Sequence, residues 1–469
     1  MSRITYGLSG GLSSDQLEKI NEKMIETLET VGMDVSNPKI LEFIKNKPGF
    51  NVIGNNVRFS KGLIRQCIET QRTAGKKRVN TPISEKKWIL NILSGYPLYK
   101  VDYDSYKIVP FLENDAVKYS KLVDVLYERG VRGSVPGAPQ DIDPLIRDLR
   151  IYQLGAKHCR CGGMTGNVPG PEVAEWMYRL FDLMGQPKNL GVFVINPLKA
   201  EGDTFDTLYE FRDEIKAVLV GSMAQMGVSS PVSLFGTFVI SIAAAWGSFA
   251  LVNALTGLES MYFFCRPWPT HMKTLDIVYG SPEAAFGELI YRQLGEFYGW
   301  PDDDSYSMHS SAPIADMQAG YQRGAYTMMS ALNGDRSFRF GGLLGVDFVF
   351  SPEMLLLDLE ALEYIKRVAN GIDFDDDSFM MDAIREVGPS GSFLEHESTF
   401  EQFKNHLWDP QYFVHESVDK FLNDGARTAF DRVHSDVDAL IAKHNYHLDE
   451  NIERELDNLC NQAYKALSK

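Results

Sequence analysis

Cysteine is scarce and scattered: Cys67, Cys159, Cys161, Cys265 and Cys460 are an odd number spread over 469 residues, and they form no disulfide framework. With no secretory signal at Met1-Ser2-Arg3, that usage points to a reducing cytoplasm. Basic charge is in deficit, 47 Lys and Arg against 63 Asp and Glu for a formal charge of −16, which argues against a nucleic-acid or anionic-membrane surface. A Gly-x-Ser-x-Gly elbow, a Walker loop and a strand-linked dinucleotide fingerprint are all missing, so hydrolase, phosphoryl-transfer and nicotinamide chemistry lose their usual support. No second cysteine pair follows Cys159-Arg160-Cys161 at the spacing of a structural zinc site, and no internal repeat or low-complexity tract stands out. Long apolar runs are limited to Val232 to Leu255, which carries no formal charge and could span a bilayer at about 1.5 Å per residue. Thr237, Ser241, Ser248 and Asn253, the small residues Gly236, Ala243 to Ala245 and Gly247, and the lack of flanking Lys or Arg anchors favour a helix buried inside a protein.

What is present reads as a large α/β protein, 44% hydrophobic and 23% charged. Residues up to about Thr81 read as helical: Ser13 with Gln16 resembles a capping box, Leu17, Ile20, Met24, Leu28 and Val31 form an apolar stripe, Asn37-Pro38 starts a second helix and Ser60 a third. From Trp88 short apolar runs alternate with helical stretches. The candidate strands are Trp88 to Leu93, Val131 to Val135, Lys157 to Cys161, Gly191 to Ile195, Ala217 to Val220, Met261 to Cys265, Tyr306 to His309 and Ser337 to Phe340. Eight strands alternating with helices is the count of a (β/α)₈ TIM barrel. The expected organisation is an N-terminal helical region over 1–85, the barrel over 86–370, and a C-terminal helical region over 371–469 packed on it. Tyr99 to Val109 reads as a hairpin, Asp373 to Asp377 as a solvated loop, and Phe379 to Ile384 as a helix.

Barrels keep their chemistry where strands end. The run Met261 to Cys265 stops at Arg266-Pro267-Trp268-Pro269, where two prolines forbid further ladder pairing and leave a cation and an indole on display. Ser281, Pro282 and Glu283 then open a helix. The strand ends as a set offer Tyr96, Phe264, Trp268, Tyr306, Phe338, Phe340 and Phe348 beside Arg160, Arg266, His309 and Arg339. Ring faces stabilise a quaternary ammonium by roughly 0.5–2 kcal/mol, and an arginine fork holds a carboxylate. Phe264, Trp268, Phe338 and Phe348 are the candidates for an ammonium cup, Arg266 or Arg339 for the carboxylate, and His309 for a polar wall. The metal reading is weaker: Cys159 and Cys161 share one strand face, and they are two ligands at best unless Cys265 or His309 converges on them.

Gly280-Ser-Pro-Glu-Ala-Ala285, Asp316-Met-Gln-Ala-Gly-Tyr321, Ser351-Pro-Glu-Met354 and Gly388-Pro-Ser-Gly-Ser-Phe-Leu-Glu-His396, in that order, resemble the trimethylamine methyltransferase superfamily. Ser230-Pro-Val-Ser-Leu234 and Phe403 to Pro410 with Leu407-Trp408 look like it too. The resemblance implies a (β/α)₈ barrel that passes a methyl group from a methylated amine to the cobalt of a separate corrinoid protein, so that the cobalamin belongs to the partner. Trimethylamine members carry pyrrolysine late in the barrel, whereas 338–350 here reads Phe-Arg-Phe-Gly-Gly-Leu-Leu-Gly-Val-Asp-Phe-Val-Phe. The chain is therefore similar to the branch without pyrrolysine, which acts on glycine betaine, proline betaine, carnitine or γ-butyrobetaine. The expected partners are a corrinoid protein and a small quaternary amine, with neither nucleic acid nor membrane, in a homo-oligomer. Glycine betaine is the favoured substrate. Two rivals predict different behaviour: a metal-assisted lyase using His158, Cys159, Cys161 and His309 would contain stoichiometric metal, and a non-catalytic betaine-binding protein would leave Co(I) untouched.

Overall fold

The computed structural model describes residues 2–77, 82–163, 170–301 and 305–468; Thr81, the expected end of the helical stretch within region 1–85, lies outside them. Helix α1 (Ser14–Thr30) begins with the expected Ser13–Gln16 capping box. The region is not wholly helical: Phe50–Ile53 and Asn56–Phe59 form an antiparallel hairpin, and Met33–Val35 adds to its second strand. Val57 and Phe59 are buried while Arg58 is exposed, a period-two pattern, and Gly54 supplies the left-handed turn residue at φ 62°.

Six parallel strands follow: β1 (Ile89–Asn91), β2 (Val131–Arg132), β3 (Asn189–Val194), β4 (Ala217–Ser222), β5 (Tyr262–Phe264) and β6 (Ser337–Arg339). They form two sheets, ordered β6-β1-β2 and β5-β4-β3. The two remaining sequence-predicted strands are irregular. Ser305 alone bridges Phe338 in parallel, exchanging 2.8 Å hydrogen bonds with Ser337 and Arg339, and residues 306–309 leave the ladder. Lys157 and His158 instead end helix α2 (Pro144–His158), which Asp143 caps with Pro144 in the first turn; the Lys157 ammonium suits the negative end of a helix. Only Cys159 is extended, at φ −144°, and its thiol donates to the Gly133 carbonyl just beyond β2 at 3.2 Å.

Helices return the chain between strands: α3 (Leu234–Thr256), α4 (Pro282–Tyr298), α5 (Met317–Leu332) and α6 (Pro352–Ala369). Ser233, Ser281, Asp316 and Ser351 each accept a backbone N–H at the helix start. Helix α3 is long and apolar enough to cross a membrane, yet Thr237 and most of 241–252 are fully buried. It packs on α1, on β4 and on the Lys61–Lys76 helix. A Cβ at Gly247 would stand 2.2 Å from the Met33 sulfur, so this glycine lets the N-terminal region approach. Tyr99–Asp102 pairs with Lys107–Pro110 as the expected hairpin. The acidic stretch after Gly371 is not simply a loop, because Ile372–Phe374 pairs antiparallel with Ser2–Ile4. Near the end, α7 (Glu450–Leu467) packs on α2 and on Pro171–Leu183.

Candidate active site at the strand ends

The segments leaving the carboxyl ends of β5, Ser305 and β6 bring their rings together. Phe264 is 5.7 Å from Trp268 and 5.1 Å from Tyr306 between ring centres. Trp268 is 5.0 Å from Tyr279 and 5.8 Å from His309. His309 lies sandwiched between Tyr279 at 3.9 Å and Phe340 at 3.7 Å, both nearly parallel to it. Phe193, at the end of β3, reaches Phe264 at 6.2 Å; its ring fits because β4 has glycine opposite, where a Cβ at Gly221 would fall 2.3 Å from it. All of these rings except Phe193 are buried.

An acid completes the cluster. The Tyr279 hydroxyl donates to Asp347 Oδ2 at 2.6 Å, and Asp347 Oδ1 stands 3.8 Å from His309 Nε2, too far for a hydrogen bond. Both of those facing atoms are buried without a partner. Burial pushes the Asp347 carboxyl up to about 7 against the opposing Tyr279 bond. Burial, then the charges of Arg323 and Arg266, hold the His309 ring well below its ordinary value, so it is neutral. Asp347 is carried on a turn in which Gly345, Val346 and Asp347 have φ of 58°, 53° and 70°. Left-handed backbone at a β-branched residue is strained. Arg323 of α5 holds this region: its guanidinium pairs with Asp358 of α6 and donates to the carbonyls of Leu343 and Phe340.

The sequence-predicted residues divide. Phe264, Trp268 and His309 meet in the cluster. Trp268 and Arg266 are not on display: each is 4% exposed. Arg266 already has a carboxylate, because its Nε donates to Glu288 of α4 at 2.7 Å and its guanidinium lies between Tyr291 and Tyr306, 3.7 and 3.9 Å from their centres. Arg339 is half-buried, with its guanidinium 5.4 Å from the Tyr306 ring. Phe338 points the other way along β6 and stacks on Trp88 at 5.8 Å. Phe348 is exposed beside Asp347. Arg160 pairs with Asp124 and Glu128. Tyr279 and Asp347 were not among the sequence candidates, although Asp347 carries the only charge between Arg339 and Glu353.

Among the described residues no group of three or more His, Cys, Asp or Glu converges as metal ligands. Cys159 and Cys161 do interact: the Cys159 thiol beside it draws the Cys161 thiol down to about 6 against burial, and the same contact, with burial, raises Cys159. At pH 7 iodoacetamide should therefore label half-buried Cys161 first, with buried Cys67 and Cys460, both pushed up to about 12, unlabelled by mass spectrometry. A separate cavity of about 840 Å³ has the Arg266–Glu288 pair itself in its wall. It is lined by Tyr262, Arg292, Trp300, Pro301 and Asp335, which precede the strands and not their carboxyl ends.

A family profile described as "Trimethylamine methyltransferase (MTTB)" matches residues 5–467. A "Glycine betaine methyltransferase" of Desulfitobacterium hafniense (strain Y51) is 23% identical over 434 residues, 89% of each chain. A "Trimethylamine methyltransferase MttB" of Methanosarcina barkeri is 26% identical over 480 residues, 97% of this chain and 95% of that one. The crystal structure of the Methanosarcina barkeri monomethylamine methyltransferase (MtmB) superposes with a TM-score of 0.50 at 12% identity, covering 98% of this chain and 88% of that one, a likeness of fold.

Proposed function

The chain belongs to the trimethylamine methyltransferase family, in the branch without pyrrolysine, and we propose that it demethylates a small quaternary amine, glycine betaine first, in favour of a corrinoid protein. The observation that carries this reading is the ring cluster at the strand ends, built from Phe264, Trp268, Tyr279, Tyr306, His309 and Phe340 around a single acid. We read the six strands, with the Ser305 and Cys159 segments, as the eight staves of a (β/α)₈ barrel. Residues 1–85 and 371–469 are read as its flanking regions, and the protein is assigned to the cytoplasm.

A quaternary nitrogen is already cationic, so it leaves as a neutral tertiary amine without a general acid. The partner's Co(I) supplies the nucleophile. What remains for this chain is to orient one N–CH₃ bond and to exclude water. Ring faces suit a cation that has no proton to donate, and Arg339, which ends β6 with its guanidinium 5.4 Å from the Tyr306 ring, is the residue we assign to the substrate carboxylate. Exposed Tyr96, Met272, Leu275 and Phe348 follow strand ends in sequence and offer the partner an apolar rim.

The test mixes the protein with cob(I)alamin and, separately, glycine betaine, proline betaine, carnitine, γ-butyrobetaine and trimethylamine. Loss of the cob(I)alamin absorbance with at least one quaternary amine is the expected result. Turnover of trimethylamine alone would contradict the substrate class, and binding of betaines without any loss would mean a binding protein.

A further inference from the structure

Among the described residues Asp347 is the one acid in the ring cluster, and no cation there pairs with it. Its Oδ2 takes the Tyr279 hydroxyl, its Oδ1 has no partner, and the atom facing Oδ1 is the equally unpartnered Nε2 of His309. Such an oxygen is costly to leave bare in a buried place, and the left-handed turn that delivers it adds strain. Groups facing it from each neighbouring segment are Tyr279 after β5, His309 after Ser305, and Tyr96 after β1, whose hydroxyl is raised by burial and then by Asp347 itself. Beyond His309 lie the cations Arg323 and Arg266, already paired with Asp358 and Glu288.

We propose that Asp347 is the counter-ion that selects a cationic nitrogen, giving up a proton to solvent as the cation enters and regaining one when the amine becomes neutral. This rests on the reading that the ring cluster holds the substrate ammonium. The exchange balances: a neutral carboxyl plus a quaternary cation gives a carboxylate–cation pair and one released proton. Once the methyl group has left, the neutral amine no longer offsets the carboxylate, and a proton from solvent restores the carboxyl. Ring faces favour a quaternary cation over a tert-butyl group of the same shape by only about 0.5–2 kcal/mol, and a lone acid adds a charge that the isostere cannot meet.

The sign with pH follows. A carboxyl raised to about 7 by burial makes the ligand-free protein lose stability as pH rises from the ordinary carboxylate range towards 7, because the folded state holds more protons than the unfolded one there. Cation affinity should change the opposite way and strengthen as pH rises through 7.

Isothermal titration of the full chain, without corrinoid, tests this with three probes: glycine betaine, tetramethylammonium, and 3,3-dimethylbutanoate, the carbon isostere of betaine. For the wild type, both cations should bind about tenfold tighter at pH 8 than at pH 6, with close to one proton released at pH 6, as read from buffers of different ionisation enthalpy. The isostere should not gain. Asp347→Asn should remove the pH dependence and cut the preference for betaine over the isostere about tenfold or more. It should fold, since asparagine accepts left-handed backbone more readily than most residues. Tyr279→Phe, which removes the bond that favours the carboxylate, should move the midpoint to higher pH. Wild-type cation binding that is independent of pH, or unchanged selectivity in Asp347→Asn, overturns the role of Asp347 while leaving the methyltransferase reading intact. Failure of the wild type to bind either cation overturns both.

Discussion

Replacing Arg266 by alanine should lower the unfolding free energy by about 3–5 kcal/mol, the usual consequence of removing one partner from a buried ion pair. Its side chain and that of Glu288 are 5% and 6% exposed, so the remaining carboxylate would have little water to turn to. The guanidinium also fills the space between the Tyr291 and Tyr306 rings, and its loss opens a gap directly behind the ring cluster. Denaturant melts should show the drop, and the double variant Arg266→Met with Glu288→Leu should recover much of it, because no unpaired charge remains. A different outcome would be informative: an unchanged melt with affinity lost only for carboxylated amines would make Arg266 the substrate's carboxylate clamp after all.

Trp268→Ala should weaken betaine binding about tenfold and destabilise the fold by about 3–5 kcal/mol, whereas Trp268→Phe should stay within a few-fold of wild type. The contrast rests on the indole N–H, which is buried without a hydrogen-bond partner. Phenylalanine therefore forfeits ring area but no bond. Alanine removes the surface that meets Phe264, Tyr279 and His309, leaving both a cavity and a missing wall. Titration with glycine betaine, paired with thermal melts of each variant, separates the two effects. Equal affinities in all three proteins would reduce Trp268 to packing.

The two residues illustrate what a sequence can and cannot disclose. That Met261 to Cys265 is a strand ending at a double-proline loop follows from local chemistry, as do the helix caps at Ser281 and Ser351, and these are where the structure has them. Whether the loop faces water is a tertiary matter. Glu288 lies a helix turn and a half into α4, and nothing about its neighbours in sequence announces that it will neutralise Arg266. Phe338 and Arg339 are adjacent on β6 and so must face opposite ways, but only packing against Trp88 decides that the phenylalanine turns from the cluster. Tyr279 and Asp347 belong to no periodic pattern. Asp347 could have been noticed as a lone charge in an apolar stretch, yet its aim depends on three successive left-handed residues, two of which are not glycine. The sequence-predicted strands Lys157 to Cys161 and Tyr306 to His309 fail for the same reason: their place between helical stretches suits a strand, but the chain ends a helix at His158 in one case and leaves only Ser305 bridging Phe338 in the other.

The burial of α3 has a consequence in time. Its covering helix α1 is made first, and Leu234 follows Ser14 by 220 residues; at about 5–20 residues per second on the ribosome, α1 waits roughly 10–45 s for the surface it is to cover. When α3 then emerges it is apolar on every side, and its partners on β4 and in the first 77 residues are already synthesised. The two faces must find each other across a long loop, which is slow compared with local helix formation. The same helix that is buried in the native state is thus an uncovered apolar segment, open to aggregation, until the N-terminal region has closed over it.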